Sequence, residues 1–276
     1  MKLCVVVPCF CETPLARECI GSLVNQISNN DSVYWIDDAG YGTAEMVKRY
    51  LLGVSHAESI VHTTPHRRGA ICNIFHAAKY FVRDDTTVTV QLDGDDYLLP
   101  GALARVREIF SNPDIWVMHA NYKRSDGGPP WATGRYQSAD FRNSPCQVAG
   151  LRAWRSPLLR KVHEEDFKIG GFWQTSGWDN ALMLPMLELA GLSRVHYEEQ
   201  PLSVYRIHED NDRKDPTFQE FSSWYSRCRP KYSRLETLED TPTRTPHVLK
   251  TAFIGIPGKG PSILPCEVDG ERVKLG

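Results

Sequence analysis

Thr87-Val88-Thr89-Val90-Gln91-Leu92-Asp93-Gly94-Asp95-Asp96 is the stretch whose reading decides the fold. Residues 87–92 form a β-branched run that ends directly in Asp93. Such a run suits a buried strand. The three carboxylates that follow repel one another, so the cluster destabilises the chain unless something positive sits among them. Gly94 lets the backbone turn and approach a ligand closely. A strand end carrying this cluster suits a hard divalent cation held through oxygen. Magnesium or manganese held that way bridges a diphosphate and neutralises it as a leaving group. The competing reading is a solvated acidic turn or a calcium-like loop. An EF-hand is excluded, because its further ligands and its Glu twelve positions along are absent.

Upstream, short apolar runs alternate with helical patterns. Leu3 to Val7 is a continuous apolar run ending at Pro8, a strand covered on both faces. Thr13-Pro14 reads as N-cap and first helical position, with Leu15, Cys19, Leu23 and Ile27 on one face. Val33 to Ile36 is a second strand leading into Asp37-Asp38. Thr43 to Leu52 reads as a helix and Ser59 to His62 as a third strand. Ala70 to Val82 is helical, with Ile71, Ile74, Phe75 and Ala78 apolar. This order predicts an α/β fold: a mostly parallel, Rossmann-like sheet flanked by helices. Ligands of such sheets sit at the carboxyl ends of the strands. Polar groups fall at three of those ends: Cys9 to Glu12, Asp37-Asp38 and Asp93 to Asp96.

Downstream, Asn121 to Asp140 reads as a long loop around Gly127-Gly128-Pro129-Pro130, and loops of that length are often functional. Its Trp131 and Tyr136 are candidates either to meet an acceptor or to anchor the loop. Ser156-Pro157 starts a helix, Asn180 to Ala190 is another despite Pro185, and Thr217 to Arg227 a third. Arg229 to Gly276 is rich in Pro, Gly, Thr and charge and reads as an irregular extension. The organisation expected is one domain over 1–215, with a nucleotide-sugar half at 1–110 and an acceptor half at 111–215. An extension follows at 216–276.

The chain has 276 residues, 41% hydrophobic and 24% charged, with a formal net charge of -2. That balance gives no reason to expect nucleic acid as a partner. No apolar run reaches the length of a membrane helix, and residues 1–7 are too short for a signal h-region. The eight cysteines form no C-x-x-C pair and read as free thiols of a reducing, cytoplasmic compartment. Association with the surface of a membrane stays open. Asn30-Asp31-Ser32 fits a glycosylation sequon, a triplet that arises often by chance.

Four further segments each have two readings. Asp37-Asp38 either forms an Asx turn or accepts hydrogen bonds from uracil or ribose. His66-Arg67-Arg68-Gly69, before a helix, is either a solvated basic turn or a phosphate site. Asp179 is either an N-cap or a general base. In Tyr205-Arg206-Ile207-His208, Arg206 suits a phosphate and His208 a metal.

Taken together, these segments resemble the family 2 glycosyltransferases of GT-A fold. Val5 to Glu12 is similar to the family's hydrophobic-Pro-x-Tyr-Asn-Glu opening, with Cys11 in the Asn place. Ile36 to Gly40 resembles the hydrophobic-Asp-Asp-Gly-Ser motif, with Ala and Gly for Gly and Ser. Arg67 to Asn73 resembles the basic-then-Asn segment, and Gln91 to Leu98 with Pro100 the Asp-x-Asp region. Gly170-Gly171-Phe172 and Trp178-Asp179 resemble the acceptor-side motif, with Trp178 in the Glu place of Glu-Asp. Pro201 to His208 resembles the closing Pro-Leu-x-x-Tyr-Arg-x-His segment. The likeness covers residues 3 to 211, in order.

The resemblance implies roles. Pro8, Phe10, Glu12 and Asp38 would line the nucleotide pocket, with Gly94 in the donor-binding turn, and Arg67 would reach base or phosphate. Asp93 would hold ribose or metal. Asp95 would be the main ligand of Mn2+ or Mg2+, and His208 would complete the shell. Asp179 would deprotonate an acceptor hydroxyl in one inverting displacement from a nucleotide-sugar, at family level a UDP-hexose. The acceptor would be a glycan, a lipid-linked sugar or a protein. Two other classes compete. A sugar nucleotidyltransferase would show a Gly-rich basic loop after the first strand, which Pro8 to Pro14 lacks. A non-catalytic binding protein on a decayed fold would have lost Asp93 and Asp95.

Overall fold

The computed structural model describes residues 1–53, 58–209 and 215–246 in full, and the backbone of Thr251–Ile256, Gly260–Asp269 and Arg272–Leu275. Within β1 (Leu3–Cys9) every residue is buried. Strand alternation divides its side chains between two cores. Leu3, Val5 and Val7 face one side, with Cys19, Ile20 and Leu23 of α1 (Thr13–Val24) and Val47 and Leu51 of α2 (Thr43–Leu52). Cys4 and Val6 face the other, with Ile71, Ile74 and Phe75 of α3 (Ala70–Tyr80). Burial on both faces is why this strand is a continuous apolar run.

Next in the chain come β2 (Ser32–Asp37), β3 (Glu58–Thr63), β4 (Val88–Gln91), β5 (Tyr97–Leu98), β6 (Val117–Arg124) and β7 (Arg152–Arg155). A two-strand hairpin, β8 (Lys168–Ile169) and β9 (Phe172–Trp173), stands apart from the main sheet, and β10 (Val195–Tyr205) completes it. The eight-stranded order is β3-β2-β1-β4-β7-β6-β10-β5. Strands β1 to β4 pair in parallel, and β6 pairs in parallel with β10. Only β7 and β5 run against the rest. The carboxyl ends of β1, β2, β4, β6 and β10 therefore open on one edge, and β7 begins there.

Helix α4 (Ala102–Phe110) covers the first core face through Leu103 and Val106. The short α5 (Pro157–Arg160) and α6 (Asp179–Ala190) cover the other. In α6 every residue from Asn180 to Ala190 is buried, so it tolerates the ladder bond that Pro185 removes.

Several expectations shift. Thr13 lies one residue inside α1, whose N-cap is Glu12. The loop expected from Asn121 starts only after Arg124, because β6 needs residues 122–124 to pair with Ser203–Tyr205. The helix expected over Thr217 to Arg227 forms, and the stretch after Arg229 is more ordered than its composition suggests. Helix α7 (Pro216–Cys228) is capped by Asp215, which accepts from Phe218 N at 2.9 Å. Strands β11 (Lys231–Tyr232) and β12 (Arg244–Thr245) form a hairpin, and β13 (Thr251–Ile256), β14 (Gly260–Asp269) and β15 (Arg272–Leu275) an antiparallel sheet.

Charge locks the start of this extension to the domain. Arg142 and Glu188 form a fully buried bidentate pair at 2.6 and 2.8 Å. Arg142 also donates to the carbonyls of Ser226 and Arg229, both at 2.8 Å, and Glu188 accepts from Tyr232 N at 3.0 Å. Buried Asp166 accepts from Tyr232 Oη at 2.6 Å and from Arg244 at 2.5 Å. Seven of the cysteines are free thiols, and the Cys266 side chain lies outside the described residues. No helix among the described residues is long and apolar enough to cross a membrane.

Candidate active site

The carboxyl edge of the sheet opens into a cleft. Of the residues predicted from sequence, Pro8, Phe10, Asp38, Arg67, Asp93, Asp95 and Asp179 line it. Glu12, Gly94 and His208 do not. Glu12 is exposed at the N-cap of α1. His208 stands behind Asp95, with Nε2 at 3.1 Å from Asp95 Oδ2.

Gly94 is glycine for a reason different from the one read in the sequence. The close approach is to the protein itself: a Cβ here would lie 2.7 Å from Cys9 Cβ and 2.8 Å from Cys9 Cα. The turn is laid across the end of β1, with Gly94 N donating to Pro8 O at 3.0 Å. Thiols cushion it from below, Cys11 reaching Gly94 O at 3.4 Å and Cys19 reaching Asp93 O at 3.6 Å. Gly94→Ala should lower stability by about 1–3 kcal/mol through overpacking and shift the Asp93–Asp96 turn. A thermal melt read beside UDP affinity checks both; an unchanged melt would remove this account of the glycine.

The three acidic residues of the turn have different surroundings. Asp96 is buried, accepts from Arg206 N at 2.9 Å, and is held well above the usual carboxylate range by burial, then by Asp95 and Asp93. Asp93 lies deep among protein atoms, although 29% of its side chain opens to the cleft. Its carboxyl is raised to about 7, first by burial and then by the negative charges of Asp95 and Asp179, against the Arg152 guanidinium, which lowers it. Asp93 Oδ1 accepts from Gln91 Nε2 at 2.9 Å. Asp95 keeps 29% of its side chain open.

Among the described residues no three acidic, His or Cys side chains converge as a ready-made cation cage. The donor set nevertheless fits a hard cation. Asp95 Oδ2 and His208 Nε2 already approach each other, and Asp93 is a carboxylate whose anionic form its surroundings disfavour. A divalent ion that keeps few protein ligands and takes phosphate oxygens for the rest suits such an open pair.

The remaining predicted residues divide. Asp37 makes the turn of the Asx reading, accepting from Tyr41 N at 3.0 Å and Ala44 N at 3.2 Å. Asp38 lines the cleft, but its oxygens already accept from Thr64 Oγ1 at 2.7 Å, Arg68 N at 2.9 Å and Gly69 N at 2.8 Å. It thereby fixes the basic turn in front of α3. Arg67 stacks its guanidinium 4.0 Å from the centroid of Phe10, whose edge meets Tyr41 at 4.8 Å. Arg206 is buried, bonds the carbonyls of Asp95 and Leu15, and pairs with Glu18 at 2.8 Å, tying the acidic turn to α1.

Asp179 is the first residue of α6, not its cap, which is Trp178. Its Oδ1 pairs with Arg152, and 31% of the side chain is open to the cleft. Arg152 is the principal residue that sequence reasoning missed. It is the buried first residue of β7, bonded to Gln91, Asp179 and the Val148 carbonyl, 3.9 Å from Asp93, with its guanidinium 5.2 Å from the Trp178 ring. A lone Arg at the start of a short strand gave no signal. Gln219 of α7 was also missed, although it reaches the cleft. It sits there because Gly177, at φ +62°, lets α7 approach: a Cβ would lie 2.4 Å from Gln219 O.

The family pattern described as glycosyl transferase family 2 matches residues 4–168, more than half the chain. The chain belongs to this family. Among curated proteins no sequence matches it. Among solved structures it is similar to S. aureus TarS 1-349 in complex with UDP-GlcNAc, at 16% identity and TM-score 0.56, over 76% of this chain and 60% of that one. It is similar to the mannosyltransferase PcManGT from Pyrobaculum calidifontis in complex with GDP-Man and Mn2+, at 18% identity and TM-score 0.55, over 79% and 60%. A mycobacterial protein aligns at 15% identity and TM-score 0.57, over 89% and 84%. The chain thus spans 60% of the length of the first two. These likenesses establish the GT-A fold of family 2 glycosyltransferases for the chain.

Proposed function

We propose that this family 2 member is an inverting glycosyltransferase that moves a hexose from a UDP-sugar to an acceptor hydroxyl, with a divalent cation. The observation that carries the reading is the meeting of Asp93, Asp95 and Asp179 in one cleft with Phe10 and Arg67. Three carboxylates around one opening suit a cationic diphosphate complex and a base far better than a binding surface alone. The nucleotide-sugar complexes of TarS and of the mannosyltransferase agree with a donor of this class.

Phe10 and Arg67 bind the nucleotide end, where the flat ring and the cation meet a base and its phosphates. Asp95 and His208 would hold the cation, with Asp93 beside them. When bound, the cation offsets the charge that develops on the departing diphosphate. Asp179 takes the proton from the acceptor hydroxyl as its oxygen attacks the anomeric carbon. The bond from that carbon to the diphosphate oxygen breaks on the opposite side, which inverts the configuration. Arg152 holds one oxygen of Asp179 in place, so the other is aimed without a search among rotamers.

UDP release from a panel of UDP-hexoses with manganese and acceptor tests this. Asp179→Asn should keep donor affinity and lose transfer by about 10²–10⁴-fold. Transfer by the variant at the wild-type rate would remove Asp179 as the base.

A further inference from the structure

Beyond the carboxylates the cleft ends in an aromatic wall. Tyr122 comes from β6, Tyr205 is the last residue of β10, and Trp131 lies in the loop after β6; all three line the cleft. Trp131 stands edge-on to Tyr205 at 5.7 Å and to Tyr122 at 6.4 Å between ring centroids. Its placement is fixed from several sides. Tyr122 Oη accepts from Trp131 N at 2.9 Å and donates to its carbonyl at 2.6 Å. The Arg124 guanidinium stacks 3.9 Å from the indole centroid. Arg124 is itself held by Asp126 and by Pro129 O at 3.2 Å, and a Cβ on Gly128 would come within 2.7 Å of its guanidinium carbon. Tyr136, the other aromatic singled out in this loop, is buried in the core, edge to face with Phe141 at 5.1 Å. So one ring anchors the loop and the other is presented to the cleft.

We propose that this wall seats the acceptor, and that the acceptor hydroxyl is carried on a pyranose ring stacked against Trp131; the proposal rests on the transferase reading above. Strand order supplies the direction. Phe10 and Arg67 lie on the β1–β3 side, Asp93 and Asp95 at the end of β4, Arg152 on β7, and the wall on β6 and β10. A donor that runs from its base across its diphosphate to its anomeric carbon points along that order. What lies beyond the reacting carbon is the acceptor. A pyranose offers an apolar face of C–H groups to a ring and hydroxyls to the tyrosines around it. A serine or threonine of a protein has no such face. A phosphate-bearing acceptor would call for a cation, and among the described residues that touch Trp131 the cation, Arg124, is turned onto the indole and paired with Asp126. The rigid hold on Trp131 lowers the ordering cost of binding.

Saturation-transfer NMR with a panel of methyl pyranosides, on the full chain with UDP and manganese, tests the proposal, with UDP affinity measured beside it. The expected result is transfer to ring C–H protons of at least one glycoside. Trp131→Leu should weaken that glycoside about tenfold, with Trp131→Phe between the two. In the unmodified protein the indole N–H resonance of Trp131 should shift as the glycoside is added, a readout that needs no folded variant. UDP binding without any glycoside signal, or an indole resonance that stays still, overturns the acceptor wall and leaves the transferase reading standing. Failure to bind UDP or any UDP-sugar sinks the transferase reading and the wall with it.

Discussion

Asp95→Ala is expected to reduce metal-dependent UDP release by about a thousandfold, equivalent to roughly 4 kcal/mol of barrier. The size follows from where Asp95 stands. It has an oxygen at 3.1 Å from His208, an open side chain, and a backbone held by Arg206. Asp93 cannot replace it, since one oxygen is taken by Gln91 and the other faces Arg152. The useful readout is a comparison of two affinities. UDP binding with manganese should weaken strongly in the variant, and UDP binding in chelator should change little. A variant that keeps more than a tenth of wild-type release with manganese would show that the cation, if used, is held elsewhere.

The second large effect concerns stability. Glu188→Ala should destabilise the chain by about 3–5 kcal/mol, because it leaves the Arg142 guanidinium buried without its counter-charge. For a chain of this size that is a fall of roughly 10 °C in melting temperature. The loss should be felt first in α7 and the β11–β12 hairpin. Glu188 also receives Tyr232 N, and the displaced Arg142 serves the carbonyls of Ser226 and Arg229. Hydrogen exchange followed segment by segment checks this: protection lost evenly across the chain, with none concentrated in residues 216–245, would contradict it. Replacing both partners by apolar residues should recover only part of the loss, since the carbonyls that Arg142 serves would still lack donors.

The parallel half of the sheet was legible because its strands are buried on both faces and so appear as apolar or β-branched runs, as in Leu3 to Val7 and Thr87 to Leu92. The acidic turn was legible because Asp93, Asp95 and Asp96 stand together in the chain. Arg152 was not, because its meaning lies in Asp93 and Asp179, both distant in sequence. Gly94 was recognised as a turn, but its packing against Cys9 was not legible, since nothing local shows that Cys9 lies there. The stretch after Arg229 was read as irregular because the order of its first part comes from Arg142, Glu188 and Asp166, partners that lie earlier in the chain. Arg206 shows the same limit, since its ties to Glu18 and to the carbonyls of Asp95 and Leu15 join segments far apart in the chain.

The interleaved strand order has a consequence for how the chain folds during synthesis. When residues 1–110 have left the ribosome, β4 still lacks β7 on one side, and β5 lacks β10, which pairs with it from about a hundred residues further along. That early segment therefore carries an apolar edge with nothing to pair against. Contacts of such long sequence separation favour slow folding. A nascent chain stalled near residue 110 would present that open edge to the strands of other chains.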